Sequence, residues 1–374
     1  ESQYIIGNVY KNGFHMKKDI NKAIHYFIHA ANQNHAESQY ELGKIYLTEE
    51  DIPRDINKAI HYLTLAANQN HAKSQYIIGN VYKYGLYMKK DINKAIHYLT
   101  LAANQNHAES QYVLGDYYRK GLNIKKDINK AIHYLTLAAN QNHAESQYEL
   151  GNIYFTKEDI PRDINKAIHY YTLAANQNHT ISQFALGSIY LTQEDIICDI
   201  NKAIHYLALA ANKNHIESQY FLGYMYINGF FIKKDINKAI HYFTLAANQN
   251  YLNAQKDLGK IYCSITHQNI SKAIHYLTLA ANQNDLESQY ELGTIYLNER
   301  FIEKNIDKSI YYLSLAANQK YYKAQHNLGL IFISEQYDRL DINKSIYYFK
   351  LAADKNCIES QFNLGVIYEK GIYI

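Results

Sequence analysis

The sequence predicts an all-α fold, an α/α superhelix built as a solenoid of about ten helix-loop-helix repeats of 36 residues. Every copy holds two amphipathic helix patterns, and only two of the 374 residues are prolines, which interrupt helices. One glycine recurs at steps of 36 residues, except for a step of 34 between Gly259 and Gly293. It falls at Gly7, Gly43, Gly79, Gly115, Gly151, Gly187, Gly223, Gly259, Gly293, Gly329 and Gly365. We therefore expect a single repeat domain over residues 1–374.

The second helix of each repeat has the clearer pattern. Asp55 precedes it as the expected N-cap, and Asn70 follows it, where asparagine tolerates the left-handed conformation of a helix end. Between them the apolar residues recur at three- and four-residue spacing, which predicts one buried stripe. They are Ile56, Ala59, Ile60, Leu63, Ala66 and Ala67.

The first helix is predicted over residues 36–48 and has apolar residues on two sides, so it should be sandwiched between neighbouring helices. Gly43 inside it costs about 1 kcal/mol of helix propensity relative to alanine. A glycine repeated at one register indicates close approach of another helix. We expect the small Ala66–Ala67 pair to be its counterpart.

Two kinds of connector join the first helix to the second. One is typified by NGFHMKKD at residues 12–19 and the other by TEEDIPRD at residues 48–55. Both keep the repeat length, and the sequence predicts interchangeable connectors. Their lysine pairs, such as Lys17–Lys18, are expected to be solvated rather than to follow a phosphate backbone.

The consensus AESQYELGxIY followed by DINKAIHYLTLAANQNH resembles the Sel-1-like repeat, a member of the tetratricopeptide-like α/α solenoids. The resemblance covers essentially the whole chain, with ten helix pairs and an eleventh first helix. It implies a right-handed superhelix whose first helices line the concave side, and a scaffold or adaptor that assembles protein complexes. Asn34, Asn70 and Asn106 stand where the family usually has glycine. The cysteine pairs that staple some secreted members are absent, which argues against a secreted, disulfide-stabilised role.

Comparison of the copies with one another predicts a partner-binding face. Positions that carry the same residue in every copy are expected to be needed for packing between repeats, so positions that vary are available to bind a partner. Two positions of the first helix vary most, and they lie three residues apart on one side of it. The candidate partner-binding residues at these positions are Glu41, Lys44, Ile77, Asn80, Val113, Asp116, Glu149, Asn152, Phe221 and Tyr224. If first helices line the concavity, Ile77, Val113, Phe221 and Tyr224 are apolar anchors; the alternative is that these positions face solvent and drift.

Other kinds of site find little support. A histidine recurs on the polar stripe of the second helix, as at His61 and His97, where adjacent helices are too far apart for imidazoles to share a metal. His25 and His29 have zinc-like spacing but no further ligand. The sequence has no glycine-rich phosphate loop and no protease, esterase or kinase signature, so we expect no enzyme activity and no cofactor. The variable positions also lack the pattern of a base-reading solenoid.

Composition and cysteine spacing limit the partners and the cellular compartment that we expect. The formal net charge is +3, from 38 basic and 35 acidic residues, which argues against a polyanion binder. Cys198, Cys263 and Cys357 are far apart and outside any metal-binding spacing, so a reducing compartment, the cytoplasm, is expected. No apolar run is long enough for a membrane span. Glu1 begins inside a first helix, and we expect a fragment of a longer chain.

The leading functional hypothesis is a non-catalytic scaffold that holds a partner peptide or helix in its concave groove. A second hypothesis is a regulatory or targeting arm of a larger enzyme such as a protein kinase. A third is a structural subunit whose ends stack into a larger assembly, or an RNA-binding helical-repeat protein.

Overall fold

A computed structural model describes residues 1–14, 16–121, 124–192, 199–264, 269–298, 303–335 and 340–371. These residues form 21 α-helices, and none of them lies in a β-strand. The chain divides into two compact units, Glu1–Ile197 and Cys198–Ile374. Unit 1 contains α1 to α11 and unit 2 contains α12 to α21. The all-α repeat solenoid predicted from the sequence is confirmed.

Odd-numbered helices are the first helices of the repeats and even-numbered ones are the second. The first helices are α1 Ser2–Asn12, α3 Ala36–Thr48, α5 Ala72–Tyr84, α7 Ala108–Lys120, α9 Ala144–Phe155, α11 Thr180–Thr192, α13 Ile216–Asn228, α15 Leu252–Ser264, α17 Leu286–Leu297, α19 Tyr322–Ile333 and α21 Ile358–Glu369. The second helices are α2 Ile20–Ala31, α4 Ile56–Asn68, α6 Ile92–Asn104, α8 Ile128–Ala139, α10 Ile164–Asn176, α12 Ile200–Asn212, α14 Ile236–Asn248, α16 Ile270–Asn282, α18 Ile306–Asn318 and α20 Ile342–Ala353.

Within each unit, helices pack chiefly on the helices next to them in the chain. The core is accordingly a series of small clusters, each shared by neighbouring helices. In unit 1, for example, Leu99 and Ala103 of α6 pack with Leu114 and Tyr117 of α7. In the described part of the chain, α2 to α10 of unit 1 and α13 to α20 of unit 2 each contact a helix of a neighbouring repeat as well as their own partner, which is the nearest-neighbour arrangement of a solenoid.

The predicted caps are confirmed. The Asp55 side chain accepts a hydrogen bond from the Lys58 amide at 3.0 Å, and the corresponding aspartates cap other second helices in the same way. Asn70 has a φ of 66°, and asparagines at the same place in other repeats share this left-handed conformation. Each repeat therefore ends its second helix and turns into the next first helix by one local device.

The predicted counterpart of the repeated glycine was wrong. A Cβ added at Gly43 would lie 2.4 Å from Leu63 Cγ, so the glycine admits Leu63 of α4, not the Ala66–Ala67 pair. Ala67 packs instead in a cluster with Ile78 of α5. Leu63 fills the space left by the glycine of its own repeat and also joins Ala67 in the cluster with Ile78.

A ladder of buried glutamines joins the repeats, and the sequence analysis missed it. Gln111 is 1% exposed, and its Nε2 donates to the Ala103 carbonyl of the preceding second helix at 3.0 Å. Gln141 Nε2 then donates to Gln111 Oε1 at 2.7 Å. The same bonds recur through Gln39 and Gln69. Buried amides need such partners, so the ladder fixes the register of one repeat on the next.

Histidines cap several first helices. His107 Nδ1 accepts from the Ser110 amide at 3.3 Å and lies 3.0 Å from Ser110 Oγ. His71, His179 and His215 do the same. An Nδ1 that accepts a backbone hydrogen bond carries no proton, so this cap requires the neutral ring. Burial lowers the pKa of His71, His107, His179 and His215 below its ordinary value of 6.5.

We predict that Gly151→Leu destabilises the fold by about 1–3 kcal/mol, because a Cβ there would already lie 2.5 Å from the Tyr171 ring. Urea unfolding measures the change. Gly365→Leu is the matched control, since a Cβ at Gly365 meets nothing within 4 Å. Equal stability of the two variants would contradict the close approach of first and second helix.

We also predict that stability falls as the pH drops below about 6.5. The folded-state pKa of each capping histidine is lower than the unfolded one, so the unfolded chain binds more protons and acid favours it. Asp285 makes the same cap to Ser288 at 2.8 Å without needing a neutral ring. Replacing His71, His107, His179 and His215 by aspartate should therefore reduce the loss of urea stability between pH 7.5 and pH 5.0. An unchanged loss would show that the caps are not its cause.

Candidate functional site

The predicted partner-binding residues lie on the first helices, and we call the surface they form the first-helix face. In unit 1 it comprises Glu41 and Lys44 on α3, with the corresponding positions on α5, α7 and α9. Seven of these eight residues are half-buried. The eighth, Val113, is 8% exposed and belongs to the core. In unit 2, Phe221 is half-buried and Tyr224 is exposed on α13.

An open groove of about 950 Å³ lies on this face in unit 1, across α5, α7 and α9. It brings together three of the predicted residues, Asn80, Val113 and Asp116. The other predicted residues of unit 1 do not line it: Glu41, Lys44, Ile77, Glu149 and Asn152. The groove is completed by residues that the sequence analysis did not select, among them Tyr76, Tyr84, Leu86, Glu109, Tyr112 and Glu145.

The end of α5 and the connector after it supply an apolar wall to the groove. Tyr84 is 61% exposed and Leu86 is 48% exposed, although both have large apolar surfaces. Lys83 Nζ lies 4.8 Å from the centroid of the Tyr84 ring and 5.1 Å from that of Tyr117. The wall therefore offers both apolar contact and an aromatic surface that already attracts one cation.

Acidic side chains line the other part of the groove. Glu109 and Glu145 lie in the first turns of α7 and α9, where the helix dipole favours negative charge, and more than half of each side chain is exposed. His143 lies beside them with its Nδ1 3.7 Å from the Glu145 carboxylate. The groove is thus apolar near the end of α5 and acidic near the starts of α7 and α9.

Several of the variable residues form contacts within the stack, either with the preceding repeat or with their own second helix, so variation does not mean release from the stack. Glu41 forms an ion pair with Lys11 of the preceding first helix, and Glu149 lies 3.4 Å from Arg119. Asn152 accepts a hydrogen bond from the Tyr171 hydroxyl at 2.7 Å. The premise that copy-variable positions are free to serve a partner therefore fails for these three residues.

In unit 2 the first-helix face carries aromatic side chains. The Tyr224 and Phe230 rings lie 5.8 Å apart between centroids, and Phe230 and Phe231 are both exposed on the connector after α13. Phe231 has a φ of 61°, an uncommon conformation for a bulky residue, and Tyr87 of unit 1 shares it. This patch is a second apolar part of the face.

Where a basic connector precedes an acidic one, side chains of the two connectors form ion pairs. Lys18 Nζ lies 2.6 Å from Glu49 and 2.8 Å from Asp51. Lys126 Nζ lies 2.5 Å from Asp159 in the same way. The order of the connectors therefore decides which of these charges meet, a contact that the sequence prediction of interchangeable connectors did not include.

The histidines of the second helices contact the adjacent tyrosines edge-on. The His61 and Tyr62 rings, for example, lie 5.2 Å apart, and His25 lies 4.5 Å from His29. Among the described residues, no three His, Cys, Asp or Glu side chains are placed to hold a metal ion. Cys263 and Cys357 are free thiols, and Cys198 lies outside the described residues. None of the described helices has both the length and the apolar character needed to cross a membrane.

Comparison with known proteins agrees with this architecture. The family model described as Sel1 repeat matches eleven consecutive segments, at residues 1–35, 36–71, 72–107, 108–143, 144–179, 180–215, 216–251, 253–285, 286–321, 323–357 and 358–374. A search among curated proteins found no match.

Two solved structures are similar over most of the chain. One is c5321, described as a protective antigen of uropathogenic Escherichia coli strains displaying an SLR fold, with a TM-score of 0.73 and 26% identity over 99% of this chain and 80% of that one. The other is a Sel1 repeat protein from Oxalobacter formigenes, with a TM-score of 0.63 and 25% identity over 82% of this chain and 90% of that one. With eleven matched repeats that span nearly every residue, the chain belongs to the Sel1 repeat family.

Proposed function

We propose that the protein is a non-catalytic scaffold that binds a segment of a partner protein in the groove on the first-helix face of unit 1. Sel1 repeat proteins are generally protein-interaction scaffolds, which supports the general role. The groove itself is the observation that supports the finer assignment. It gathers Asn80, Val113 and Asp116 beside the exposed Tyr84 and Leu86.

The composition of the groove suits a polypeptide. Tyrosines are frequent anchors of protein interfaces, because a large rigid ring gives apolar contact and its hydroxyl gives a hydrogen bond. Tyr76, Tyr84 and Tyr112 come from two successive first helices. Between them, Asn80 offers an amide that can donate to or accept from a peptide backbone. A partner segment would therefore find apolar anchoring and backbone hydrogen bonds side by side.

The scaffold under the groove is rigid enough to present it. Arg119 Nη2 donates to Asp116 at 2.8 Å and lies 3.4 Å from Glu149, so it joins α7 to α9 directly behind the groove. The glutamine ladder through Gln111 holds α7 against α6. A surface built on helices locked in this way loses little conformational freedom on binding, which favours affinity.

We predict that a variant carrying Asn80→Ala, Tyr84→Ala and Leu86→Ser loses its partners. These side chains give the groove its exposed contact surface, and removal of two apolar anchors should weaken binding by about tenfold or more. The measurement is affinity purification of the tagged full-length chain from the source cell, with quantitative mass spectrometry of the proteins recovered.

The matched control replaces Asn57, Asn93 and Asn129 by alanine on the exposed side of the second helices. It should recover the same partners as the unaltered chain. Circular dichroism and urea unfolding establish that both variants are folded. Equal recovery by the groove variant and the control would reject the groove as the binding site.

A further inference from the structure

Acidic residues at one register of the first helices are matched by cations of the preceding repeat. Glu41 and Glu149 both lie two residues before the repeated glycine, and their side chains are only 14% and 16% exposed. Lys11 and Arg119, their partners, both lie four residues after the glycine of the preceding repeat. The stack of unit 1 thus has a sheltered place for an acid and a neighbouring place for the cation that neutralises it.

In unit 2 the same acidic register is occupied by Asp257 and Glu291. Burial raises the pKa of the Asp257 carboxyl above its ordinary value, and the carboxylate accepts a hydrogen bond from the Tyr220 hydroxyl at 3.0 Å. Asp257 is therefore matched by a neutral donor from the preceding first helix. Asp257 thus has a partner within the chain, as Glu41 and Glu149 have, although that partner is a hydroxyl group and not a cation.

Glu291 on α17 breaks this rule. Cys263 of α15 stands in the register of Lys11 and Arg119 and offers no cation. Cys263 packs against the cluster that includes Leu277 and Leu292, and Leu292 is the residue that follows Glu291 in the sequence. Burial, and then the charge of Glu291, raises the pKa of the Cys263 thiol to about 11, so this thiol is neutral. Glu291 is half-buried, and the described part of the chain gives its carboxylate neither a hydrogen bond nor an ion pair.

The charged groups around Glu291 do not replace the missing partner. The charge of Lys260 favours the ionised Glu291 carboxylate, but Lys260 Nζ donates its hydrogen bond to Glu287 at 2.8 Å. Lys256 also lies 3.5 Å from Glu287. The charge of Lys323 on α19 also favours the ionised form of Glu291, whereas the charge of Glu287 disfavours it. Burial is the largest effect, and it raises the pKa of the Glu291 carboxyl. A sheltered carboxylate of this kind gains most from a charged donor brought to it.

We propose that the first-helix face of unit 2 binds a polypeptide segment that brings a lysine or arginine side chain to Glu291, in the place that Lys11 and Arg119 take in unit 1. The inference rests on the proposed function, because it assumes that first helices bind partner proteins, and it adds the chemistry of one partner residue. The ion pairs of unit 1 are the template for the contact. Its occupant is a basic segment rather than an acidic one, since Glu291 is the unmatched charge.

The chain offers a direct way to test this inference. Cys263→Arg would supply the cation from within, so it should raise resistance to urea and compete with the partner for Glu291. Glu291→Gln removes the charge with little change of shape. Cys263→Ala is the control for loss of the thiol, and Glu49→Gln is the control for loss of an acid that is paired internally on a connector, outside the first-helix face.

Random 12-residue peptides are selected on the full chain, and their affinities for the variants are measured by fluorescence anisotropy. We expect a group of selected peptides, enriched in lysine and arginine, to bind Glu291→Gln and Cys263→Arg at least about tenfold more weakly than the unaltered chain. The same peptides should bind Cys263→Ala and Glu49→Gln with unchanged affinity.

Two results would overturn the inference while leaving the proposed function intact. In one, the selected peptides bind the unaltered chain and bind the unit 1 groove variant more weakly, but every peptide binds Glu291→Gln as tightly as the unaltered chain. In the other, the peptides that depend on Glu291 carry no basic residue. Selection of no peptide at all would instead count against the proposed function and remove the basis of this inference.

Discussion

The structure depends on one constraint: a single helix pair cannot bury both of its sides. The first helix has apolar residues on two sides, and its own second helix covers only one, through contacts such as that of Gly43 with Leu63. The second helix of the preceding repeat covers another side, as the packing of Ala67 on α4 against Ile78 on α5 shows. Repetition of the sequence follows from this, because every junction needs the same glycine, the same small residues and the same buried glutamine.

The same constraint decides where function can lie. Residues that seal a junction cannot vary without loss of stability, and variation is left to positions at the edge of each junction. The edge is not free of the stack, since Glu41 and Glu149 lie there and form ion pairs between repeats. We therefore place the proposed partner binding at this edge, in the groove beside Val113 and at Glu291.

Much of the fold could be predicted from the sequence, because the glycine period, the N-cap aspartates and the left-handed asparagines report local physics that each copy repeats. The counterpart of Gly43 could not, since choosing between Leu63 and Ala67 requires the rotation of one helix against another. The connector pairing of Lys18 with Glu49 was missed for a related reason, because it depends on which loops become neighbours. For the candidate site, variation located Asn80, Val113 and Asp116, but Tyr84 lies at the end of α5 outside the variable positions, and Leu86 enters the groove from a connector whose path the sequence does not specify.

Deletion of one internal repeat tests nearest-neighbour sealing most directly. Removing residues 108–143 joins His107 to Ala144 and recreates the same local sequence, with Lys90 in the register of Lys126 opposite Asp159. Circular dichroism with urea unfolding should then show the same helical content per residue, and a cooperative transition at somewhat lower stability. Loss of helical structure throughout the shortened chain would contradict the account, because it would mean that distant repeats share one core.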